Sequence, residues 1–471
     1  MTVVTVMNTA LSVFRLFLVL VLFAAPAALA QNKPAESAPT SPPTPPTGKA
    51  PIIIIPGITG SELKSSRTDK TVWFTRGRNK EEDIRLPISP DLKANRDSLV
   101  PGDIIRGVRL LRFLPEVEIY NQLIVSLEQR GGYREAKWDD PKPGDDQDTF
   151  YVFPYDWRID NVETARRLIR DVEQLKGKLG KPDLKFNIIA HSMGGLVARY
   201  AAMYGDAELR SGTVRPTWAG AKHLDKIFML GTPNEGSVRA LDALINGLSI
   251  INGINIPFFR DIDRFDVFTT QSIYQLLPHE GSLIAYDEEL KPIELDIFDP
   301  ATWEEYDWVV WKDKKFEKKF SAEEQKNARL YFRAALKRAK DFQAAISRPG
   351  RDNTPVSFYL LGADCKETPN AFILRQNNKK DRWITQFQPK SFKRGDGTKI
   401  TSEEIKTLLL AVGDGVVTKR SLAGESTLKR GGEPIVPIAA EIFQCESHTR
   451  LVTNLQIQDR LFGYMWPALT N

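Results

Sequence analysis

The chain has 471 residues, 65 Lys and Arg against 60 Asp and Glu, a net charge of +5, and 42% hydrophobic residues. That length suits one large α/β domain carrying insertions, or two domains. The weak positive balance comes without blocks of basic residues interleaved with aromatics, so nucleic acid is not an expected partner.

Residues 1–30 read as a secretory signal peptide. Arg15 is the only charge, Leu16 to Ala25 is unbroken and apolar, and Ala28-Leu29-Ala30 gives a small-x-small cleavage pattern before Gln31. The apolar run falls short of the ~20 residues that span a bilayer. Removing these residues leaves 471 − 30 = 441 residues and a charge of +4. Residues 31–49, with Pro34, Pro39, Pro42, Pro43, Pro45 and Pro46 among Ser, Thr and Ala, read as an extended linker. Export makes the two cysteines, Cys365 and Cys445, candidates for one disulfide, with two buried thiols as the alternative.

The folded part is expected over 50–471. Ile52 to Ile55 is a buried strand running into Gly57-Ile58-Thr59-Gly60-Ser61, whose small residues let backbone N–H groups approach a substrate oxygen. After a less regular stretch with Trp73, Phe74 and an apolar cluster from Val108 to Leu114, a helix is predicted over Ile119 to Gln129. Phe150 to Phe153 is a second buried strand, followed by Pro154-Tyr155-Asp156-Trp157-Arg158. Ala165, Leu168, Ile169, Val172 and Leu175 then mark an amphipathic helix closed by Gly177.

Phe186 to Ala190 is a short apolar run of the kind a fully covered parallel strand needs, and it stops at His191-Ser192-Met193-Gly194-Gly195. Leu196, Val197, Tyr200, Ala201 and Tyr204 continue at helical spacing. A serine at a sharp strand-to-helix turn, with small residues two before (Ala190) and two after (Gly194), has the form of a nucleophile elbow. Ile227 to Leu230 is a further strand ending at Gly231-Thr232-Pro233. Strands alternating with helices predict a mostly parallel, doubly wound sheet, an α/β fold.

The alternation lapses over about 234–350, which reads as a cap or lid insertion over the serine, with an uncharged stretch from Ala243 to Phe259, Trp303, Trp308 and Trp311, and a charged helix around Ser321 to Gln343. The α/β pattern resumes at Val356 to Gly362. A basic stretch follows, from Lys379 to Arg394, best read as a solvated face.

A serine nucleophile needs a base, and the base needs an acceptor that holds its tautomer. In an elbow fold the acid and then the histidine follow the serine. Of four histidines, His191 adjoins the serine on a strand and should point away, His223 precedes a strand, and His279 comes before any acid candidate. His448 alone stands late enough. For the acid, Asp414, in a Gly-Asp-Gly between apolar runs, ranks ahead of Asp364 at a strand end, and Asp396 lies in a charged turn. The oxyanion donors would be the N–H groups of Thr59 (or Ile58) and Met193.

Taken in order, Ile55-Pro56-Gly57-Ile58-Thr59-Gly60-Ser61, Pro154 to Arg158, His191 to Gly195, Leu230-Gly231-Thr232-Pro233, Gly413-Asp414-Gly415-Val416-Val417 and the late His448 resemble the lecithin:cholesterol acyltransferase family of α/β-hydrolases. The resemblance implies an α/β-hydrolase fold with a cap, Ser192 as nucleophile, Asp414 (over Asp364) as acid, His448 as base, and Thr59 and Met193 as oxyanion donors. It also implies acyl-ester chemistry on a lipid at a membrane or lipoprotein-like interface, with neither metal nor cofactor and no obligate protein partner. Two departures stand out: Ala190 replaces the commoner glycine, and Val416 stands where threonine is more usual. The expectation is an exported lipid acyl hydrolase or O-acyltransferase; a soluble esterase with the same triad, or a non-catalytic envelope protein on a hydrolase scaffold, are the alternatives.

Overall fold

The computed structural model describes residues 48–74, 83–108, 117–212, 215–248, 262–279, 281–348, 354–377, 382–425 and 438–466. The expected signal peptide, nearly all of the linker, and parts of the apolar stretches around 109–116 and 249–261 lie outside the described residues.

The elements that build the centre of the fold run in this order: β1 (Ile52–Ile55), α1 (Asn121–Gln129), β2 (Arg134–Glu135), β3 (Thr149–Val152), α2 (Asn161–Leu179), β4 (Phe186–His191), α3 (Met193–Tyr204) and β5 (Leu224–Leu230). They continue with α4 (Val238–Asn246), α5 (Ala322–Ile346), β6 (Ser357–Gly362), β7 (Lys366–Pro369), α6 (Ser402–Leu409), β8 (Leu410–Gly413), β9 (Ile438–Phe443) and α7 (Leu455–Met465). Seven strands form one sheet in the order β9-β6-β5-β4-β1-β3-β2, and every pairing in it is parallel. Parallel strands need crossovers, and the helices that supply them cover both faces.

Side-chain alternation along the strands assigns the helices to their faces. Ile53 and Ile55 of β1, Ile188 and Ala190 of β4, and Ile227 and Met229 of β5 pack with α2 and α3. The intervening Ile52, Ile54, Ile189, Phe228 and Leu230 pack with Leu123, Ile124 and Leu127 of α1 and Ile457, Leu461 and Phe462 of α7. This is the doubly wound arrangement of an α/β-hydrolase. Burial of both faces explains why β1 and β4 read as continuous apolar runs rather than alternating ones.

The predicted amphipathic helix is longer than its apolar spacing suggested. Asp160 caps it by accepting the Val162 N–H at 2.9 Å, and it runs through Gly177 to end at Gly180, whose φ of 65° makes the left-handed turn. Between β5 and β6 the described part of the chain carries several helices and one short antiparallel strand pair, Ala285–Tyr286 with Pro292–Ile293. Its longest helix, α5, starts with a reciprocal cap between Ser321 and Glu324, and its C-terminal end leans on α3, where Tyr204 Oη donates to Ala345 O at 2.9 Å. Trp303 and Trp308 are buried, edge-on to each other at 5.4 Å, and Trp303 also meets Phe332 of α5, so these rings join the core on the α2–α3 side of the sheet.

Candidate active site

The sheet's carboxyl ends carry the site, as open parallel sheets dictate. β4 ends at His191, and Ser192 then adopts φ 52° and ψ −125°, neither strand nor helix, before α3 begins at Met193. A positive φ at a non-glycine residue costs on the order of 1–3 kcal/mol. The surrounding contacts enforce it: Ser192 N–H still donates to Leu230 O of β5 at 2.8 Å, while α3 crosses the end of β1 at close quarters. A Cβ on Gly194 would lie 2.5 Å from Pro56 O and 2.8 Å from Ile55 O, which is why this position needs glycine. Ala190 is fully buried in the core on the α2–α3 side, so the departure from glycine adds one packed methyl.

Three side chains converge here from elements far apart in sequence. His448 Nε2 lies 3.0 Å from Ser192 Oγ, and His448 Nδ1 lies 2.7 Å from Asp414 Oδ2. Asp414 sits in the turn after β8, and the His448 N–H donates to Asp414 O at 2.9 Å. The second carboxylate oxygen, Oδ1, accepts the N–H groups of Val416 at 2.9 Å and Val417 at 2.7 Å. Burial works against the Asp414 charge, but the His448 charge and hydrogen bond and these two N–H groups outweigh it and hold the carboxyl below its usual range. The Val416 contact is made by backbone, so valine in place of threonine leaves it intact. All three side chains are almost inaccessible to solvent.

The early glycine turn meets the same point. A Cβ on Gly57 would lie 2.9 Å from Ser192 Cβ, so only glycine brings this loop against the serine. Gly60 N–H donates to Gly57 O at 3.1 Å, closing the turn, and Thr59 sits within it at φ 62° with its carbonyl accepting the Trp73 indole N–H at 3.0 Å. Met193 is the first residue of α3, whose leading N–H groups face out of the helix end.

The remaining candidates lie elsewhere. Asp364 pairs with Lys419 Nζ at 3.2 Å and is over a third exposed, and Asp396 occupies an exposed turn. His223 faces Glu173 and Lys176, and His279 lies 3.6 Å from Glu235. His191 departs from the expected orientation. It turns toward the His448 loop, its ring centroid 4.9 Å from that of His448 and its Nε2 3.1 Å from His448 O.

Sequence reasoning gave no role to several supporting residues. Gly231, at φ 61°, abuts the Asp414–His448 pair, and Thr368 Oγ1 accepts the Gly415 N–H at 2.8 Å. Tyr120 and Tyr155 hold the glycine turn; Tyr155 belongs to the Pro154–Arg158 motif, but no local pattern marks Tyr120 or gives the contact of either with a turn more than 60 residues away. Cys365 and Cys445 are bonded. The bond joins the start of β7, whose antiparallel partner β8 leads to Asp414, to a point three residues before His448.

Residues 115–423 match the lecithin:cholesterol acyltransferase family model. The match contains Ser192 and Asp414, while the Gly57–Gly60 turn and His448 lie outside it. The uncharacterized protein YJR098C of Saccharomyces cerevisiae is 24% identical over 264 residues, covering 54% of this chain and 32% of the yeast protein, so the chain spans about a third of that relative's length. Among solved structures, the Tle4–Tli4 complex aligns with 89% of this chain and 98% of the matched chain at 13% identity and a TM-score of 0.49. EstA from Clostridium botulinum aligns with 93% and 92% at 13% identity and a TM-score of 0.33. The family match covers about two thirds of the 471 residues, and the chain, with its α/β-hydrolase fold, therefore belongs to the lecithin:cholesterol acyltransferase family.

Proposed function

We propose that this chain is an exported serine-dependent lipid acyl hydrolase or O-acyltransferase, acting at a membrane or lipoprotein-like interface through an acyl-enzyme at Ser192. One observation carries the reading: a serine on a strained elbow within 3.0 Å of an imidazole whose other nitrogen is 2.7 Å from a buried carboxylate. Asp414 accepts from Nδ1 of His448, which leaves Nε2 with a lone pair aimed at the serine hydroxyl.

Ser192 Oγ attacks the ester carbonyl carbon while His448 Nε2 takes its proton. The tetrahedral oxyanion is held by the N–H groups of Met193 and Thr59. The C–O bond to the leaving alcohol then breaks as His448 returns the proton to that oxygen, giving the acyl-serine. Water, or a second alcohol, attacks the acyl carbon by the same proton route and frees Ser192. The insertion over about 234–350 serves as the cap.

The test uses purified mature protein with phospholipid vesicles, with and without a long-chain alcohol or sterol, products resolved by mass spectrometry. New esters that need both the alcohol and Ser192 make it an acyltransferase; free fatty acid alone makes it a lipase or phospholipase. Ser192→Ala should lose on the order of 10⁶ in turnover. Retention of more than about a tenth of the activity by Ser192→Ala would refute the mechanism.

A further inference from the structure

The Tyr120 hydroxyl and both ring nitrogens of His191 are hydrogen-bonded, and these bonds form one chain across the site. The Pro56–Gly57 peptide, at the base of the glycine turn, is gripped on both sides: its carbonyl accepts the Tyr155 hydroxyl at 2.9 Å, and its N–H donates to Tyr120 Oη at 2.9 Å. Tyr120 Oη is in turn 2.9 Å from His191 Nδ1, and His191 Nε2 is 3.1 Å from the backbone carbonyl of His448.

The proton positions follow from what each atom can do. A carbonyl only accepts, so His191 Nε2 carries the hydrogen and donates it to His448 O. Nδ1 is then a bare lone pair and accepts the Tyr120 O–H. The Tyr120 oxygen uses a lone pair for the Gly57 N–H. Burial, and then the nearby His448 charge, push the His191 imidazole down to about 3, so it stays neutral. Neutrality matters, because a cation 4.9 Å from His448 would oppose the positive charge that His448 gains when it takes the serine proton.

We infer that Tyr120 and His191 are positioning residues that tie the loop supplying one oxyanion donor to the loop carrying the general base, holding both in register with Ser192. The inference rests on the serine mechanism proposed above and deepens it. The elbow links the two loops directly, since His191 precedes Ser192 in the chain. The turn before Thr59 and the backbone of His448 are thus joined through two side chains with no solvent between them, as all of these groups are buried. Preorganised donors and a fixed base gain their value by not having to reorganise as charge develops. Loosening either end therefore weakens the transition state more than substrate binding.

The test measures kcat and KM on p-nitrophenyl butyrate, the second-order rate of Ser192 labelling by a fluorophosphonate, and the urea midpoint by circular dichroism. The variants are Tyr120→Phe, which keeps the packed ring and removes one hydroxyl, His191→Gln, which keeps an N–H donor, His191→Leu, which keeps none, and Tyr120→Phe/His191→Leu. An unpartnered buried donor or acceptor predicts a roughly 10- to 100-fold loss of kcat and labelling rate in Tyr120→Phe, with KM within about twofold. His191→Gln should recover part of what His191→Leu loses. The double variant should be no worse than His191→Leu alone, because one chain is broken only once. Folded Tyr120→Phe that turns over and labels at parental rates, or losses that multiply in the double variant, overturn the inference alone. A parent protein that takes no label overturns the serine mechanism and this inference with it. Should His191→Leu fail to fold, Tyr120→Phe by itself decides.

Discussion

Gly231→Ala is the substitution whose consequence the geometry defines most narrowly. Gly231 follows β5 at φ 61°, and a Cβ there would lie 2.8 Å from Leu451 Cδ1, 3.0 Å from Asp414 Oδ2 and 3.0 Å from His448 Nδ1. The new methyl would press on both ends of the 2.7 Å hydrogen bond between Asp414 and His448. The left-handed backbone alone costs alanine roughly 1–2 kcal/mol. A hydrogen bond to a charged group contributes about 1.5–3 kcal/mol, and it is needed most when His448 becomes a cation, so forcing the pair apart should lower kcat roughly 10- to 150-fold with little change in KM. Gly180→Ala is the matched control. Its φ is 65° and nothing lies within 4 Å of the added carbon, so it should lose about 1 kcal/mol of stability and keep its kcat. Steady-state kinetics on a short p-nitrophenyl ester, with urea midpoints for both variants, separate backbone strain from damage to the pair. A folded Gly231→Ala with kcat within about threefold of the parent would refute the reasoning.

Further expectations concern stability. The Cys365–Cys445 bond closes a loop of 80 residues, for which chain entropy alone gives about 4–5 kcal/mol, so reduction or Cys365→Ser/Cys445→Ser should lower the urea midpoint clearly; an unchanged midpoint would contradict this. Arg158 is buried, pairing with Asp97 at 2.6 Å and Asp156 at 2.8 Å and donating to Ile84 O, so Arg158→Met strands two carboxylates and should cost about 3–5 kcal/mol by denaturation. His191, held down to about 3 against about 6.5 when unfolded, leaves the unfolded chain one proton richer between those values. Its contribution is present in full above about pH 6.5 and is lost as pH falls, by up to about 1.4 kcal/mol per unit until about pH 3. Asp414, also depressed, acts in the same sense, so the comparison must be with His191→Gln, whose stability should fall less steeply from pH 7 to 4.5. Equal slopes would remove His191 as the cause.

Local pattern determined much of this protein. The apolar run Phe186 to Ala190, the helical spacing after Ser192 and the small Gly194 between them specify a strand, a turn and a helix, because each depends only on residues within one or two turns of chain. The order of the motifs and the scarcity of histidine then named Ser192, Asp414 and His448, since only His448 comes late enough to follow an acid. The helix end misread at Gly177 shows the limit of local pattern. A solvent-facing glycine is tolerated inside a helix, and the true stop at Gly180 depends on a left-handed turn. What the tertiary structure alone decided is how distant segments meet. Strand order brought β1 and β5 to either side of β4, which set Gly57 and Gly231 against the serine and the Asp–His pair. It also turned His191 toward His448 and placed Tyr120 where it joins Gly57 to His191. Those contacts span tens to hundreds of residues, and no periodicity or spacing carries them. They arise only once both faces of the sheet are packed and the loops at its carboxyl end are forced together.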